Sequence, residues 1–256
     1  MKNLIDSSND FLDFLKGLYK LDHFIYYNFG DFKLIKVKYI DEKMLNSPDV
    51  ALMQVKKEII HMSELAFENY KRGIKAIINT DLSEQKEIKN CEDTIDFLNE
   101  KITDFLIKLT AHSSVENEKI IGGYYHAIND IERIGDHASN FIDHAIKMHD
   151  LNLKFSEIAV KELSEFDDVL NKMFNMTNEI LNSGDTNMLK ELHSYEDKTD
   201  ELKVTISNAH FDRITKGTCT VEVSPFLSTL VSELERIGDH LTNVGYIVLN
   251  PTGKDK

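Results

Sequence analysis

Glu132-Arg133-Ile134-Gly135-Asp136-His137 recurs unchanged as Glu235-Arg236-Ile237-Gly238-Asp239-His240, and each copy runs on to an asparagine, Asn140 and Asn243. At average residue frequencies the accidental repetition of a hexamer in a chain of this length has odds on the order of one in a thousand. The stretch therefore reads as an internal duplication. A second marker fixes its register. Glu92-Asp93 with Asp96 matches Glu196-Asp197 with Asp200, an offset of 104 from Glu92 to Glu196, against 103 from Glu132 to Glu235. Two independent markers agree within one residue.

Outward from these markers the chain is punctuated as helix. With 11 glycines and 3 prolines it is poor in the residues that an all-β fold spends on tight turns, while 41% hydrophobic residues suffice for a core. Ser47-Pro48 suits an N-cap followed by proline at the first helical position, and the helix it opens is expected to run to about Asn79. Asp81 to Ser83 offer a turn. The series Ile88, Ile95, Leu98, Ile102, Phe105, Leu109 has helical spacing, and Ser113 with Glu116 forms a capping box for a third helix ending near His149. In the second half, Phe155 and Val160 flank a cap at Ser156 as a hydrophobic staple, and Ser183-Gly184-Asp185 reads as a stop and a new cap. Gly217 ends the fifth helix, Ser224-Pro225 opens the sixth and Pro251 closes it. Six helices of about 25 to 35 residues make an all-α fold of two tandem three-helix bundles. The expected divisions are an unassigned leader over 1–45, bundles over 46–150 and 151–250, and a tail over 251–256. Within the leader, Phe11, Leu12, Phe14, Leu15 and Leu18 fit one face of a short helix.

Thirty basic against 44 acidic residues give a net charge of −14. That sign opposes the phosphate backbone of nucleic acid and direct adsorption to anionic lipid, but suits hard cations. Cys91 and Cys219 stand far apart without metal-ligand spacing, and the N-terminus lacks the cationic and apolar regions of a signal peptide. No window approaches the roughly 18 to 20 apolar residues of a membrane-spanning helix. Cytoplasmic residence is expected, with no direct membrane span.

Residues four apart share a helix face, so Glu132, Asp136 and Asn140 form an oxygen ladder, as do Glu235, Asp239 and Asn243. The apolar set Ile131, Ile134, Ala138, Ile142, Ala145 points the other way, which turns the carboxylates outward. Glu92, Asp96 and Glu100 lie on the outer flank of their helix, and Glu196 with Asp200 repeats the arrangement. With 44 acids in the chain, about seven such pairs arise by chance, so it is their coincidence with the duplication that singles these out. Like charges at this spacing cost a helix roughly 0.2 to 0.5 kcal/mol per pair unless something positive intervenes. Arg133 and Arg236 are one source of that charge; bound cations are the other, and an all-oxygen set suits magnesium, calcium, manganese or oxidised iron. Gly135 and Gly238, inside helices, ask either for close approach of a neighbour or for room at a bound group. His137 and His240 read either as ligands or as packed side chains.

The repeated Glu-Arg-Ile-Gly-Asp-His followed by asparagine, with paired acidic motifs upstream, resembles the signature of the PhoU family of phosphate-transport regulators over about residues 40 to 250. What the resemblance implies is a pair of three-helix bundles carrying multinuclear metal clusters on Glu92, Asp96, Glu132 and Asp136, and on Glu196, Asp200, Glu235 and Asp239. Tyr39 to Leu52 is similar to the junction between the membrane domain and the cytosolic tail of bacterial sodium/phosphate cotransporters. The implied partner is a membrane phosphate transporter or its signalling apparatus, met at the inner face of the membrane; a homodimer is a separate expectation. No nucleophile with an oriented base and no glycine-rich phosphate loop is present, so a regulatory role is expected and not an enzyme. Two other readings stand beside it. A carboxylate-bridged metalloenzyme of the ferritin-like kind needs two inward Glu-x-x-His pairs, and Glu58 with His61 supplies one. A structural bundle that dimerises without any ion needs none.

Overall fold

A computed structural model describes residues 25–26 and 33–247; the expected leader helix, the stop at Pro251 and the tail 251–256 lie outside them. The chain divides into two compact units, Met1–Lys36 and Val37–Lys256. Within the first, β1 (Ile25–Tyr26) and β2 (Lys33–Leu34) form a short antiparallel ladder, Ile25 opposite Leu34 and Tyr26 opposite Lys33. This ladder, whose first strand pairs a β-branched with an aromatic residue, is an addition to the helices expected from the sequence.

The second unit holds α1 (Pro48–Asn79), α2 (Gln85–Thr110), α3 (Val115–Asp150), α4 (Glu157–Ser183), α5 (Leu189–Thr215) and α6 (Ser224–Tyr246). Most boundaries follow the local chemistry. Pro48 opens α1, although the Ser47 hydroxyl makes no cap bond there. Ser156 caps α4 by accepting from the Ala159 amide, while Gly184 and Gly217 turn the chain in the left-handed region that side chains disfavour. Two caps differ from expectation. Ser114, not Ser113, accepts the Asn117 amide at the start of α3, because the Ser113 hydroxyl is spent on the Leu109 carbonyl of the preceding helix. Ser224 does not cap α6 with its hydroxyl, which meets His210 instead; a 3-10 turn over Val221–Val223 leads into the helix.

α1, α2 and α3 form one three-helix bundle, α4, α5 and α6 the other, and the two join along α1 with α4 and α3 with α6. A single apolar core runs through both. The relation between the bundles is legible in which residues meet. Tyr70 and Phe174 correspond in the duplication, and their rings lie 5.3 Å apart across the α1–α4 seam. His137 and His240 also correspond, and lie 6.1 Å apart across the α3–α6 seam. Corresponding residues touch one another on an axis of twofold symmetry, so the repeats are related by a pseudo-twofold. The Tyr70 hydroxyl on this seam is fully buried and donates to Asp167 at 2.8 Å, which satisfies it; burial and that carboxylate both push its pKa well up.

Candidate metal centre

The site lies where α2 passes α3. Gly135 permits the approach, since a Cβ there would stand 3.0 Å from Ile95 Cδ1; in the second repeat a Cβ on Gly238 would stand 2.9 Å from Thr199 Oγ1. Of the two sequence readings of these glycines, close helix approach is the one the geometry displays. It brings Glu92 and Asp96 of α2 beside Asp136 of α3, with one oxygen from each inside a mutual distance of 4.8 Å. Two unit negative charges at such a separation repel by about 1 kcal/mol in water and up to about 4 kcal/mol in a surface-like dielectric.

The carboxylates are less outward than the helical wheel implies. Glu92, Glu132 and Asp136 are half-buried and Asp96 is exposed, because the neighbouring helix flanks each stripe and narrows its access to water. The proton affinities follow. Burial, with Asp96, Asp93 and Asp136 adding to it, pushes the Glu92 carboxyl up to about 7. Asp96 is raised by burial and then by Asp136 and Asp93. Glu132 is raised by burial, Asp136 and Asp96, against the pull of Arg133 and His240. Asp136 is raised by burial, with His137 and Arg133 opposing. Arg133 therefore offsets the cluster without neutralising it.

The second repeat differs. Lys203 Nζ lies 3.0 Å from Glu235 Oε1, and His193 Nδ1 lies 2.7 Å from Glu196 Oε2. Asp200 is exposed and Asp239 half-buried, and among the described residues the converging triad occurs in the first repeat alone. The two ladder asparagines lie one turn beyond the carboxylates. Asn140 donates to Glu233 Oε1 across the repeat seam at 3.0 Å, and Asn243 sits half-buried on α6.

The histidines of the hexamers belong to that seam. His240 Nδ1 lies 2.8 Å from Asp130, and His137 Nδ1 stands 3.7 Å from Glu233. Asp130 and Glu233 correspond in the duplication, so the two pairs occupy equivalent places, within hydrogen-bond distance at His240–Asp130 but not at His137–Glu233. Sequence reasoning missed both acids, although the offset of 103 pairs them. The lone Glu-x-x-His pair has a different use: fully buried Glu58 accepts the backbone amides of Lys38, at 2.9 Å, and Tyr39, at 2.6 Å, while His61 faces the Lys38 ammonium at 3.3 Å. Glu58 is thus a clamp on the segment entering α1, not half of a di-iron site.

Residues 59–145 and 163–248 each match the PhoU domain. The chain is 25% identical over 231 residues to YjbB of Salmonella typhimurium, a protein provisionally named for inorganic phosphate export; the match takes in 87% of this chain but 41% of that one. It thus spans less than half the length of that relative. A Thermotoga maritima protein named as a PhoU homologue, an accessory protein of a phosphate-specific transport system, is 23% identical over 214 residues, covering 80% of this chain and 88% of its own. Among solved structures, PhoU from Pseudomonas aeruginosa superposes with a TM-score of 0.71 at 20% identity, covering 77% of this chain and 95% of that one. The phosphate transport regulatory protein PhoU from Streptococcus pneumoniae does so with 0.71 at 15% identity, covering 79% and 95%. The two domain matches together take in more than half of the chain, one on each three-helix bundle, and the chain belongs to the PhoU domain family.

Proposed function

We propose that this chain is a regulatory accessory domain of phosphate transport, cytoplasmic and met at the inner face of a membrane by a membrane-bound partner, and that it holds hard cations on its motif helices. The observation that carries the reading is the convergence of Glu92, Asp96 and Asp136 within 4.8 Å, with Glu132 beside them and with Lys89 and Arg133 offsetting the group only in part. An all-oxygen, net-negative donor set of this kind fits magnesium, calcium, manganese or oxidised iron, and one such ion supplies the charge that Arg133 leaves short. The names of the relatives, one for export and one for an accessory role, support phosphate movement across a membrane as the process served. Among the described residues no helix is long and apolar enough to cross a membrane, so a transporter partner, not this part of the chain, is proposed to form the path. The carboxylates are half-buried or exposed, which suits a charged contact face better than an enclosed catalytic cavity.

The test pairs binding with transport. Asp96→Asn with Asp136→Asn keeps the side-chain volumes and removes two charges. The double variant is expected to lose the rise in melting temperature that added manganese or magnesium gives the parent protein, and to change phosphate flux in cells at equal expression. Unchanged flux together with unchanged co-purification of a phosphate transporter contradicts the proposal.

A further inference from the structure

We infer that the two repeats are unequal as cation sites: the first loads a hard cation, with Asn99 adding an oxygen to Glu92, Asp96, Glu132 and Asp136, whereas the second carries a built-in counter-charge, the ammonium of Lys203. The inference rests on the cation-binding reading above and deepens it.

The duplication supplies the comparison. α2 and α5 correspond at an offset of 104, a register confirmed in space because Gly135 packs on Ile95 and Gly238 on Thr199. In that register Asn99 stands where the second repeat has Lys203. Lys203 reaches across to Glu235 at 3.0 Å, and Glu235 is the counterpart of Glu132. The long side chain thus delivers a positive charge to the place in the second repeat that matches the acidic cluster of the first.

Asn99 is shorter and neutral. It follows Asp96 by three residues and Glu92 by seven, which puts all three on one face of α2. The residue is half-buried, and its Oδ1, itself shielded from solvent, has no hydrogen-bond partner among the described residues, an unfavourable state for an amide oxygen that a cation relieves. The flanking position behaves likewise. His193 bonds Glu196 in the second repeat, whereas its counterpart Lys89 is drawn to Asp143 at 2.9 Å. The second repeat therefore meets Glu235 with the Lys203 ammonium and Glu196 with the His193 ring, whereas in the first repeat Lys89 and Arg133 offset the carboxylates only in part.

Manganese bound per chain, measured on the purified full chain by equilibrium dialysis against manganese chloride, tests this. The parent is expected to load the first repeat, and Asp136→Asn and Asn99→Lys to lose that ion. The milder Asn99→Ala is expected to weaken binding roughly 10- to 100-fold while keeping the parent's circular-dichroism spectrum. Lys203→Asn is expected to raise the metal bound roughly two-fold, by opening the second repeat. An Asp136→Asn protein that retains about half of the parent's manganese, or a folded Lys203→Asn protein that gains none, overturns the inequality while leaving cation binding intact. Absence of manganese, magnesium and ferric binding in both the parent and Lys203→Asn overturns the cation-binding reading itself, and this inference with it.

Discussion

The Glu92 carboxyl, raised to about 7 from an ordinary value near 4.5, has a consequence for stability. Its proton is held more tightly in the folded chain than in the unfolded one, as are those of Asp96, Glu132 and Asp136. The stabilisation is then complete below the unfolded carboxylate range and is lost as pH rises through the folded values. Without metal, the melting temperature is expected to fall between about pH 5 and pH 8, and millimolar manganese is expected to flatten that fall. Melting curves across the range check both, and a metal-free protein that grows more stable with rising pH contradicts the account. Glu58 makes a separate prediction, because Glu58→Ala strands the amides of Lys38 and Tyr39. A loss of roughly 1 to 3 kcal/mol in urea unfolding is expected, with faster hydrogen exchange at those two amides. That role was invisible in the sequence, where Glu58 and His61 display only a ligand-like spacing; burial decides between the readings, and it depends on where a segment about twenty residues away comes to lie.

At the scale of elements, the helices were legible because period, caps and proline agree along each stretch, as in the buried run Ile131, Ile134, Ala138, Ile142, Ala145 of α3. The misassigned cap at Ser113 marks the limit: two adjacent serines offer the same hydroxyl, and only the end of α2 determines which is free to cap. The glycines sharpen the point. Gly73 and Gly135 both lie inside helices, yet a Cβ on Gly73 would meet the Ala138 backbone, its oxygen at 2.9 Å and its Cα at 3.0 Å, whereas on Gly135 it would meet the flexible end of Ile95. Gly73→Ala is therefore expected to destabilise by about 1 to 3 kcal/mol, since α1 and α3 must separate. Gly135→Ala is expected to lie near neutral, the better helix propensity of alanine offsetting a small shift of Ile95. Denaturant midpoints of the two variants check the order, and a greater loss at Gly135 contradicts the packing described.

Over the whole molecule, the duplication announced the two bundles and its offsets named the corresponding residues, but the pseudo-twofold that sets Tyr70 on Phe174 and His137 on His240 is a property of packing that no local pattern encodes. The same holds for the site. The ten oxygen-bearing positions read from the ladders are symmetric in sequence, and what separates the halves is Lys203 against Asn99, a difference outside the repeated motifs. The converged triad of Glu92, Asp96 and Asp136 is the centre of the account, and it is tested most directly by a crystal grown with manganese and measured for anomalous scattering. The account predicts an anomalous peak bounded by these three side chains, with Glu132 beside it. Well-ordered density for the three carboxylates with no anomalous peak among them at saturating manganese would contradict it.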